Sequence, residues 1–254
     1  MDTAQATQVA PPWGYNQIVP LLKTHRVQLI EAGMAPPFSL NLHAVPLGAS
    51  EFAFALRDYP IVFQRREPEG AFDAMAILGI QTGQNLFVMP DGRWDRRTYI
   101  PAYIRRYPFC VHAVADESGK IERRIYVDPK ALAENGARMF DEASAPLPHW
   151  VVIDRLLNEY EDELLRVNRL GATLHRLGVL TPFSLRADLY TGFSLSLNDM
   201  YRVDRDKLAG LDAPLLRDFI ANGDMELIYA HLLSQENFLR LMNRRSFFAT
   251  RPAA

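Results

Sequence analysis

The sequence predicts an α+β fold, in which an N-terminal antiparallel sheet with short helices packs against a C-terminal helical half. Short apolar runs separated by turn-forming residues fill the first half of the chain. From His149 onward, apolar residues recur at intervals of three and four positions, which is typical of amphipathic helices. A length of 254 residues with 48% hydrophobic residues is sufficient for one compact domain with a substantial core.

A Tyr-Pro step occurs twice in nearly the same setting. Residues 57–63 read Arg-Asp-Tyr-Pro-Ile-Val-Phe, and residues 105–111 read Arg-Arg-Tyr-Pro-Phe-Cys-Val. In each copy a helix-compatible stretch meets a proline, which cannot continue a helix, and a strand-like run follows. We therefore expect the chain to make the same helix-to-strand corner twice.

The N-terminal half predicts a meandering antiparallel sheet. Short helices are expected at 49–58, with Ser50 as N-cap, and at about 101–106. Turn residues such as Thr82-Gly83-Gln84 separate the candidate strands. The predicted strands are 61–63, 74–80, 85–88, 109–114 and 123–127.

The C-terminal half changes to helical periodicity. A long amphipathic helix is predicted from His149 to about Gly178, with an acidic face that we expect to be solvated. Two strands around Thr191-Gly192, a helix over 206–220 and a final helix capped by Asn222 should follow. The inward-facing residues are predicted to be Val152, Leu156, Tyr160, Leu164, Val167 and Leu174 in the long helix, and Met225, Ile228, Tyr229, Leu232 and Leu239 in the final one.

These patterns divide the chain into four parts. Residues 1–15 and 247–254 are expected to be flexible tails. Residues 16–142 form the β-rich half, and residues 143–246 form the mainly helical half of the same compact domain.

Composition excludes several classes of function. The net charge of −2 and the pI near 6.3 give no global attraction to nucleic acid or to an anionic membrane. The N-terminus lacks a signal-peptide pattern, and no segment reaches the roughly 20 apolar residues of a membrane span. A single cysteine, Cys110, excludes an internal disulfide framework. We therefore expect a cytoplasmic protein that binds no nucleic acid and does not insert into membranes.

The common signatures of catalysis are absent from the sequence. It has no phosphate loop, dinucleotide fingerprint, Gly-x-Ser-x-Gly elbow or His-Glu-x-x-His pair. The six histidines are scattered and make no convincing array of metal ligands. We therefore predict no cofactor and no metal.

An arginine- and aromatic-rich segment, residues 93–107, is the best candidate for a binding site. A cationic aromatic surface is suited to a carboxylate, a phosphate or a peptide backbone. In the alternative interpretation, the arginines pair with local acids and the rings fill the interior of the sheet. The candidate contact residues are Trp94, Arg96, Arg97, Tyr99, Tyr103, Arg105, Arg106 and Tyr107.

His231 is the candidate catalytic residue. It lies one helical turn from both Ser234 and Gln235, so these side chains could form a polar stripe beside an apolar face. A hydrogen-bonded seam between helices is the alternative. Catalysis would require His231 to meet Arg105 or Arg106 across a pocket.

Several phrases, taken together and in order, resemble the bacterial SapC family. They are Val45-Pro46-Leu47, Tyr59-Pro60-Ile61-Val62-Phe63, Gly83-Gln84-Asn85-Leu86-Phe87-Val88, the 99–109 run Tyr-Ile-Pro-Ala-Tyr-Ile-Arg-Arg-Tyr-Pro-Phe, the 201–208 run Tyr-Arg-Val-Asp-Arg-Asp-Lys-Leu, and the 227–234 run Leu-Ile-Tyr-Ala-His-Leu-Leu-Ser. The resemblance implies an accessory role associated with surface-layer proteins or with peptide-tailoring systems. It carries over no catalytic residues.

Three functional hypotheses follow. The leading one is a non-catalytic accessory protein that binds a protein or peptide partner through the arginine–aromatic segment. The second is an enzyme that modifies a peptide or a small anionic substrate, with His231 as general acid or base. The third is a structural component of an oligomer, with a homo-oligomer as one form, marked by a large apolar surface at a sheet edge.

Overall fold

The computed structural model describes residues 9–66, 70–115, 119–188 and 194–249. The predicted α+β class is confirmed. The strands are β1 (Val19–Pro20), β2 (Arg26–Val27), β3 (Ala44–Pro46), β4 (Ile61–Arg66), β5 (Ala71–Ile77), β6 (Phe109–Ala115), β7 (Ile121–Val127), β8 (Ala137–Arg138), β9 (Leu180–Asp188) and β10 (Ser194–Val203). The α-helices are α1 (Phe52–Ala55), α2 (Ala102–Arg105), α3 (Pro148–Arg176), α4 (Arg205–Ala209), α5 (Ala213–Ala221), α6 (Asp224–Ser234) and α7 (Asn237–Ala249).

The strands form three antiparallel sheets. The largest has the order β3-β5-β4-β10-β9, the second has the order β1-β7-β6, and β2 pairs with β8. In the largest sheet, β10 pairs with β4 through Met200 opposite Gln64 and Tyr201 opposite Phe63. The two strands predicted around residues 191–192 therefore exist and complete a sheet begun in the first half, although 189–193 lie outside the described residues.

The two Tyr-Pro corners are confirmed as repeats of one supersecondary unit. In the first, α1 leads through Tyr59-Pro60 into the hairpin β4–β5, and in the second, α2 leads through Tyr107-Pro108 into the hairpin β6–β7. The Tyr107–Pro108 peptide bond is cis, and the Tyr59–Pro60 bond is not. The repeated phrase thus places one hairpin in each of the two larger sheets.

Helix α3 joins these sheets. Its first turns bring Trp150 and Leu157 into a small core with Phe109 and Val127 of the three-stranded sheet. Its later turns bring Val167, Leu170 and Leu174 into the main core against the five-stranded sheet. Because α3 crosses two sheets in succession, its buried face is not the straight stripe that the periodicity predicted.

Several local predictions were wrong for related reasons. Val152, Tyr229 and Leu239 were expected to face inward, but each is more than half exposed. Residues 85–88 contribute only an isolated bridge between Val88 and Trp94 instead of a strand. Periodicity identifies the apolar side chains, but the neighbouring elements decide which of them are covered.

The boundaries of the predicted tails also need correction. Tyr15 is buried, and its hydroxyl donates a hydrogen bond of 3.0 Å to the carbonyl of Phe109. At the other end, α7 continues through Ala249. Residues 13–15 and 247–249 therefore belong to the folded chain, while 1–8 and 250–254 lie outside the described residues.

Gly171 permits the close contact between α3 and β5. A Cβ atom at this position would lie 2.6 Å from Cβ of Phe72, closer than side chains tolerate. Alanine in a helix interior is favoured over glycine by about 1 kcal/mol. Overpacking a well-packed core costs about 1–3 kcal/mol. When alanine replaces Gly171, the cost of overpacking should therefore exceed the gain in helix propensity.

We predict that Gly171→Ala lowers the free energy of unfolding, measured by urea denaturation, by about 1 kcal/mol, which is the cost of overpacking less the gain in helix propensity. The matched change is Ala172→Gly at the adjacent exposed position, where helix propensity alone should cost about 1 kcal/mol. A Gly171→Ala protein more stable than the parent would show that α3 and β5 do not require this close approach.

Candidate functional site

The structure divides the predicted arginine–aromatic surface into buried and exposed residues. Trp94, Tyr103 and Arg106 are at most 5% exposed, so the prediction that they lie on a contact surface was wrong. Tyr107 is half-buried and donates a hydrogen bond of 3.2 Å from its hydroxyl to Asp128. Arg96, Arg97 and Arg105 are exposed, and Tyr99 is partly exposed.

Trp94 is buried because it belongs to the interior network of the first corner. Its indole N–H donates a hydrogen bond of 3.2 Å to the hydroxyl of Tyr59, and its ring stacks on Phe87. The next residue, Asp95, pairs with Arg97 and with Arg244 of α7. Asp95 and Arg244 thus link this segment to the C-terminal helix. The pairing of Asp95 with Arg97 agrees with the alternative in which the arginines of the segment pair with local acids.

The exposed part of the segment meets the first corner in a four-membered stack. The rings of Phe54 and Tyr99 are stacked with centroids 5.5 Å apart and an interplanar angle of 19°. The guanidinium of Arg105 lies 5.6 Å from the Tyr99 centroid, and that of Arg57 lies 5.9 Å from the Phe54 centroid. We call Phe54, Arg57, Tyr99 and Arg105 the arginine–aromatic stack. Each of the two corners contributes one arginine and one ring to it.

Glu51 holds the two sides of the stack together from below. It is buried, and one carboxylate oxygen accepts a hydrogen bond of 2.8 Å from the Gly48 N–H. The other oxygen accepts bonds of 2.7 Å from the Ala102 N–H and 3.0 Å from the Tyr99 hydroxyl. Burial raises the pKa of Glu51, and these three donors oppose the rise. The carboxylate thereby links the helical turn before α1 to the start of α2.

A cleft of about 660 Å³ opens between the two larger sheets. Its walls include Gln64, Arg65 and Arg66 of β4, Asp73 and Met75 of β5, Val111, His112 and Ala113 of β6, and Tyr160, Glu161 and Leu164 of α3. Pro12, Trp13, Pro46, Tyr103 and Arg106 complete the lining. Natural small-molecule sites have volumes of about 300–1,000 Å³, so this cleft is large enough for a ligand.

Arg106 is the buried cation of this cleft. Its guanidinium lies 4.4 Å from the ring centroid of Tyr103 and 5.3 Å from that of Tyr160, and it pairs with Glu161 at 3.2 Å. Burial by itself lowers the pKa of Arg106, but the surrounding tyrosines and Glu161 raise it above the usual value. The side chain is therefore a permanent positive charge enclosed by aromatic rings.

His112 lies on β6 in the wall of the same cleft. Its ring makes an edge contact with Tyr126 at 5.6 Å. Burial lowers the pKa of His112, and the nearby charge of Arg106 lowers it further. The imidazole is consequently neutral at physiological pH.

The acidic face of α3 is solvated only in part, because Glu159 and Asp162 are more than half exposed whereas Glu161 is largely buried. Glu161 pairs with Arg106, Asp162 pairs with Arg123, and Glu163 accepts a hydrogen bond of 2.7 Å from the Ser50 N–H. These acids connect α3 to both corners and to the second sheet. Glu159 instead pairs along the helix with Arg155.

The structure removes His231 from the list of catalytic candidates. The residue is fully buried, and Nε2 accepts a hydrogen bond of 3.1 Å from the Val203 N–H. Nδ1 must then carry the proton, which it donates to the carbonyl of Ile61 at 2.8 Å. Both ring nitrogens join neighbouring strands of the main sheet, so neither can exchange a proton with a substrate. The enzyme hypothesis based on His231 was wrong.

Cys110 and the potential metal ligands are the other groups with chemical reactivity. Burial raises the pKa of the free Cys110 thiol to about 12, so no thiolate is available as a nucleophile. Within the part of the chain that the structure describes, no group of three or more potential metal ligands comes together. A separate depression of about 470 Å³ is lined by Arg93, Arg96 and Arg97 with Met89, Pro90, Asp91, Trp94 and Asp95.

An apolar groove lies on the helices instead of at a sheet edge. It has a volume of about 300 Å³ between α4, α5 and α6, where Ile220 is 67% exposed and Tyr229 is 52% exposed. The oligomer hypothesis, whose sign would be an apolar sheet edge, stays a prediction.

Sequence reasoning missed Phe54, Arg57, Tyr160, Glu161 and His112. A signal for Arg57 was present, because aligning the two Tyr-Pro phrases places it opposite Arg105. No comparable signal identified the others, whose roles depend on contacts between residues far apart in sequence.

The SapC family model matches residues 23–241, which is most of the chain. No curated protein matches the sequence, and no solved structure matches it either. The protein belongs to the SapC family. Among the described residues, no helix has the length and apolar character needed to cross a bilayer.

The environment of His231 makes a prediction about pH. Burial lowers its pKa to about 4, from the usual value of 6.5 for histidine. As the pH falls, His231 of the unfolded chain therefore takes up a proton at a higher pH than His231 of the folded chain. Its contribution to stability is fully present above pH 6.5 and declines as the pH falls toward 4, by on the order of 3 kcal/mol.

We expect the ring resonances of His231 in NMR spectra to keep the chemical shifts of the neutral Nδ1–H form from pH 8 to pH 5. Added imidazole reports the pH in the same sample. A titration of His231 with a midpoint near 6.5 would contradict the assignment of both nitrogens to backbone partners.

Proposed function

We propose that this SapC protein is a non-catalytic accessory protein of the cytoplasm that binds a protein or peptide partner through the arginine–aromatic stack. The observation that carries the proposal is the exposed stack of Phe54 and Tyr99 between Arg57 and Arg105. Aromatic residues and arginine are the types that most often dominate binding energy at protein interfaces. A role in surface-layer or peptide-tailoring systems is part of the proposal and is supported by family membership alone.

The stack is held in place before any partner binds. Arg105 donates from Nε to the carbonyl of Ile100 at 3.0 Å and from Nη2 to the Tyr99 hydroxyl at 3.0 Å. Tyr99 is fixed in turn by Glu51, and its backbone N–H donates to Asp58 at 2.8 Å. Side chains that are already ordered lose less conformational entropy on binding.

The chemistry of the stack favours a partner segment that carries carboxylates. A guanidinium has five N–H donors and no acceptor, and the hydrogen bonds described for Arg57 and Arg105 leave further donors on each. Arginine binds carboxylates through paired, charge-assisted hydrogen bonds. The rings between the two arginines add apolar area for a neighbouring side chain of the partner.

A reducing compartment is consistent with the only cysteine of the chain. Cys110 is buried and free, so stability does not depend on a disulfide. This observation supports the cytoplasmic part of the proposal.

We predict that the double variant Arg57→Ala/Arg105→Ala loses its specific partner when tagged protein is captured from native cytoplasm and read by mass spectrometry. Each arginine of such a cluster contributes about 1–2 kcal/mol, so removing both should lower the affinity for the recovered partner by roughly 30-fold or more. Both side chains are exposed, and the fold should remain intact.

Arg155→Ala/Arg169→Ala is the matched control, because it removes two exposed arginines from α3. It should capture the partner at the parental level. If the stack variant retains the same partner with unchanged affinity, while circular dichroism and melting temperature match the parent, the stack is not the contact surface.

A further inference from the structure

The groove between α4, α5 and α6 presents apolar side chains that the fold leaves uncovered. Leu208 and Leu232 are buried there, whereas Ile220 and Tyr229 are more than half exposed. The other apolar residues of the lining are Ala209, Leu216 and Met225. Exposed apolar side chains that adjoin one another mark binding sites on soluble proteins. The groove is therefore a candidate site for a ligand.

The size and lining of the groove limit what this ligand can be. A volume of about 300 Å³ is at the lower end of the range of about 300–1,000 Å³ for natural small-molecule sites. Such sites are common between helices, and they combine apolar walls with a few polar groups that orient the ligand. The polar groups of this lining are the guanidinium of Arg205 and the hydroxyl of Tyr229. A small, mainly apolar molecule with one polar end matches this composition.

Arg205 determines the charge of that polar end. It is exposed, and its side chain makes no ion pair or hydrogen bond with the described residues. No acidic residue is among those that line the groove. The preceding carboxylate, that of Asp204, instead caps α4 by accepting hydrogen bonds from the N–H groups of Asp206 and Lys207. Charge complementarity therefore favours an anionic ligand.

A carboxylate is the anion that matches this site. It carries a single negative charge, which one arginine balances, whereas a phosphate monoester carries about −1.5 to −2 at neutral pH. A guanidinium binds a carboxylate through paired hydrogen bonds. The phenol O–H of Tyr229 can also donate to a carboxylate oxygen.

We infer that the groove binds a small organic acid, whose carboxylate pairs with Arg205 and whose apolar chain lies against Ile220, Met225 and Tyr229. None of the four residues of the arginine–aromatic stack lines this groove. The site is therefore separate from the proposed partner surface, and each can fail without the other.

The test uses the full-length protein with a matched pair of probes at neutral pH and constant ionic strength. The probes are sodium octanoate, kept below its micelle concentration, and octanamide, which has the same chain without the charge. NMR follows the methyl groups of Met225 and Ile220, assigned by their loss in Met225→Leu and Ile220→Val. We expect saturable shifts of both methyl groups with octanoate and about fivefold weaker binding of octanamide, the loss that corresponds to an ion pair at an exposed site.

Two arginine variants separate the role of Arg205 from a general effect of surface charge. Arg205→Gln should bind octanoate about fivefold more weakly and octanamide as the parent does. Arg217→Gln, which removes an exposed arginine of α5 outside the groove, should bind both probes as the parent does. Both side chains are exposed, so the fold should remain intact.

Ile220→Ser should weaken the binding of both probes, because it removes an apolar contact that they share. The inference is overturned if octanoate causes no saturable shift, if octanoate and octanamide bind equally, or if Arg205→Gln retains full affinity for octanoate. It is also overturned if sedimentation velocity shows a dimer that Ile220→Ser dissociates, because a second copy of the chain then covers the groove.

Discussion

The carboxylate of Glu51 is the constraint on which the arrangement of the first half depends. It is buried between the two Tyr-Pro corners and receives hydrogen bonds from Gly48 on one side and from Tyr99 and Ala102 on the other. A buried carboxylate is tolerated only where donors replace its lost hydration. The three donors come from segments about fifty residues apart, so satisfying Glu51 fixes the distance between the corners. Each corner starts a hairpin, one hairpin lies in each larger sheet, and α3 packs across both.

The two candidate sites are consequences of this geometry. On the outer side, the first corner brings Phe54 and Arg57 against Tyr99 and Arg105 of the second. The stack therefore forms only because the two corners lie side by side. On the inner side, the cleft between the two larger sheets is lined by α3 and by Arg106, which pairs with Glu161. Adjacent arginines of one phrase therefore have opposite environments: Arg105 is exposed in the stack, and Arg106 is buried in the cleft. The short helix α2 produces this separation, since successive residues of a helix point in different directions.

Local patterns of the sequence predicted the repeated corner, the long helix and the change from strands to helices, because turn chemistry and periodicity are properties of neighbouring residues. They could not predict the burial of Arg106, which depends on Glu161 and Tyr160 of a helix about fifty residues later. Likewise, the sequence showed the polar stripe around His231 but not its role. That role is structural, because backbone groups of β4 and β10 make hydrogen bonds with both ring nitrogens. Of the predicted contact residues, Arg105 is exposed and Tyr99 is partly exposed, whereas the rings of Trp94 and Tyr103 fill the interior.

Glu51→Gln tests the central role of this carboxylate most directly. Either orientation of the amide directs an NH₂ group at a backbone N–H, of Gly48 or of Ala102, so one buried donor loses its acceptor. The free energy of unfolding, measured by urea denaturation, should fall by about 1–3 kcal/mol. Glu163→Gln, which alters an exposed acceptor of the Ser50 N–H, should change it by less than about 0.5 kcal/mol. A Glu51→Gln protein as stable as the parent would contradict the account, because the corners would then be held together by other contacts.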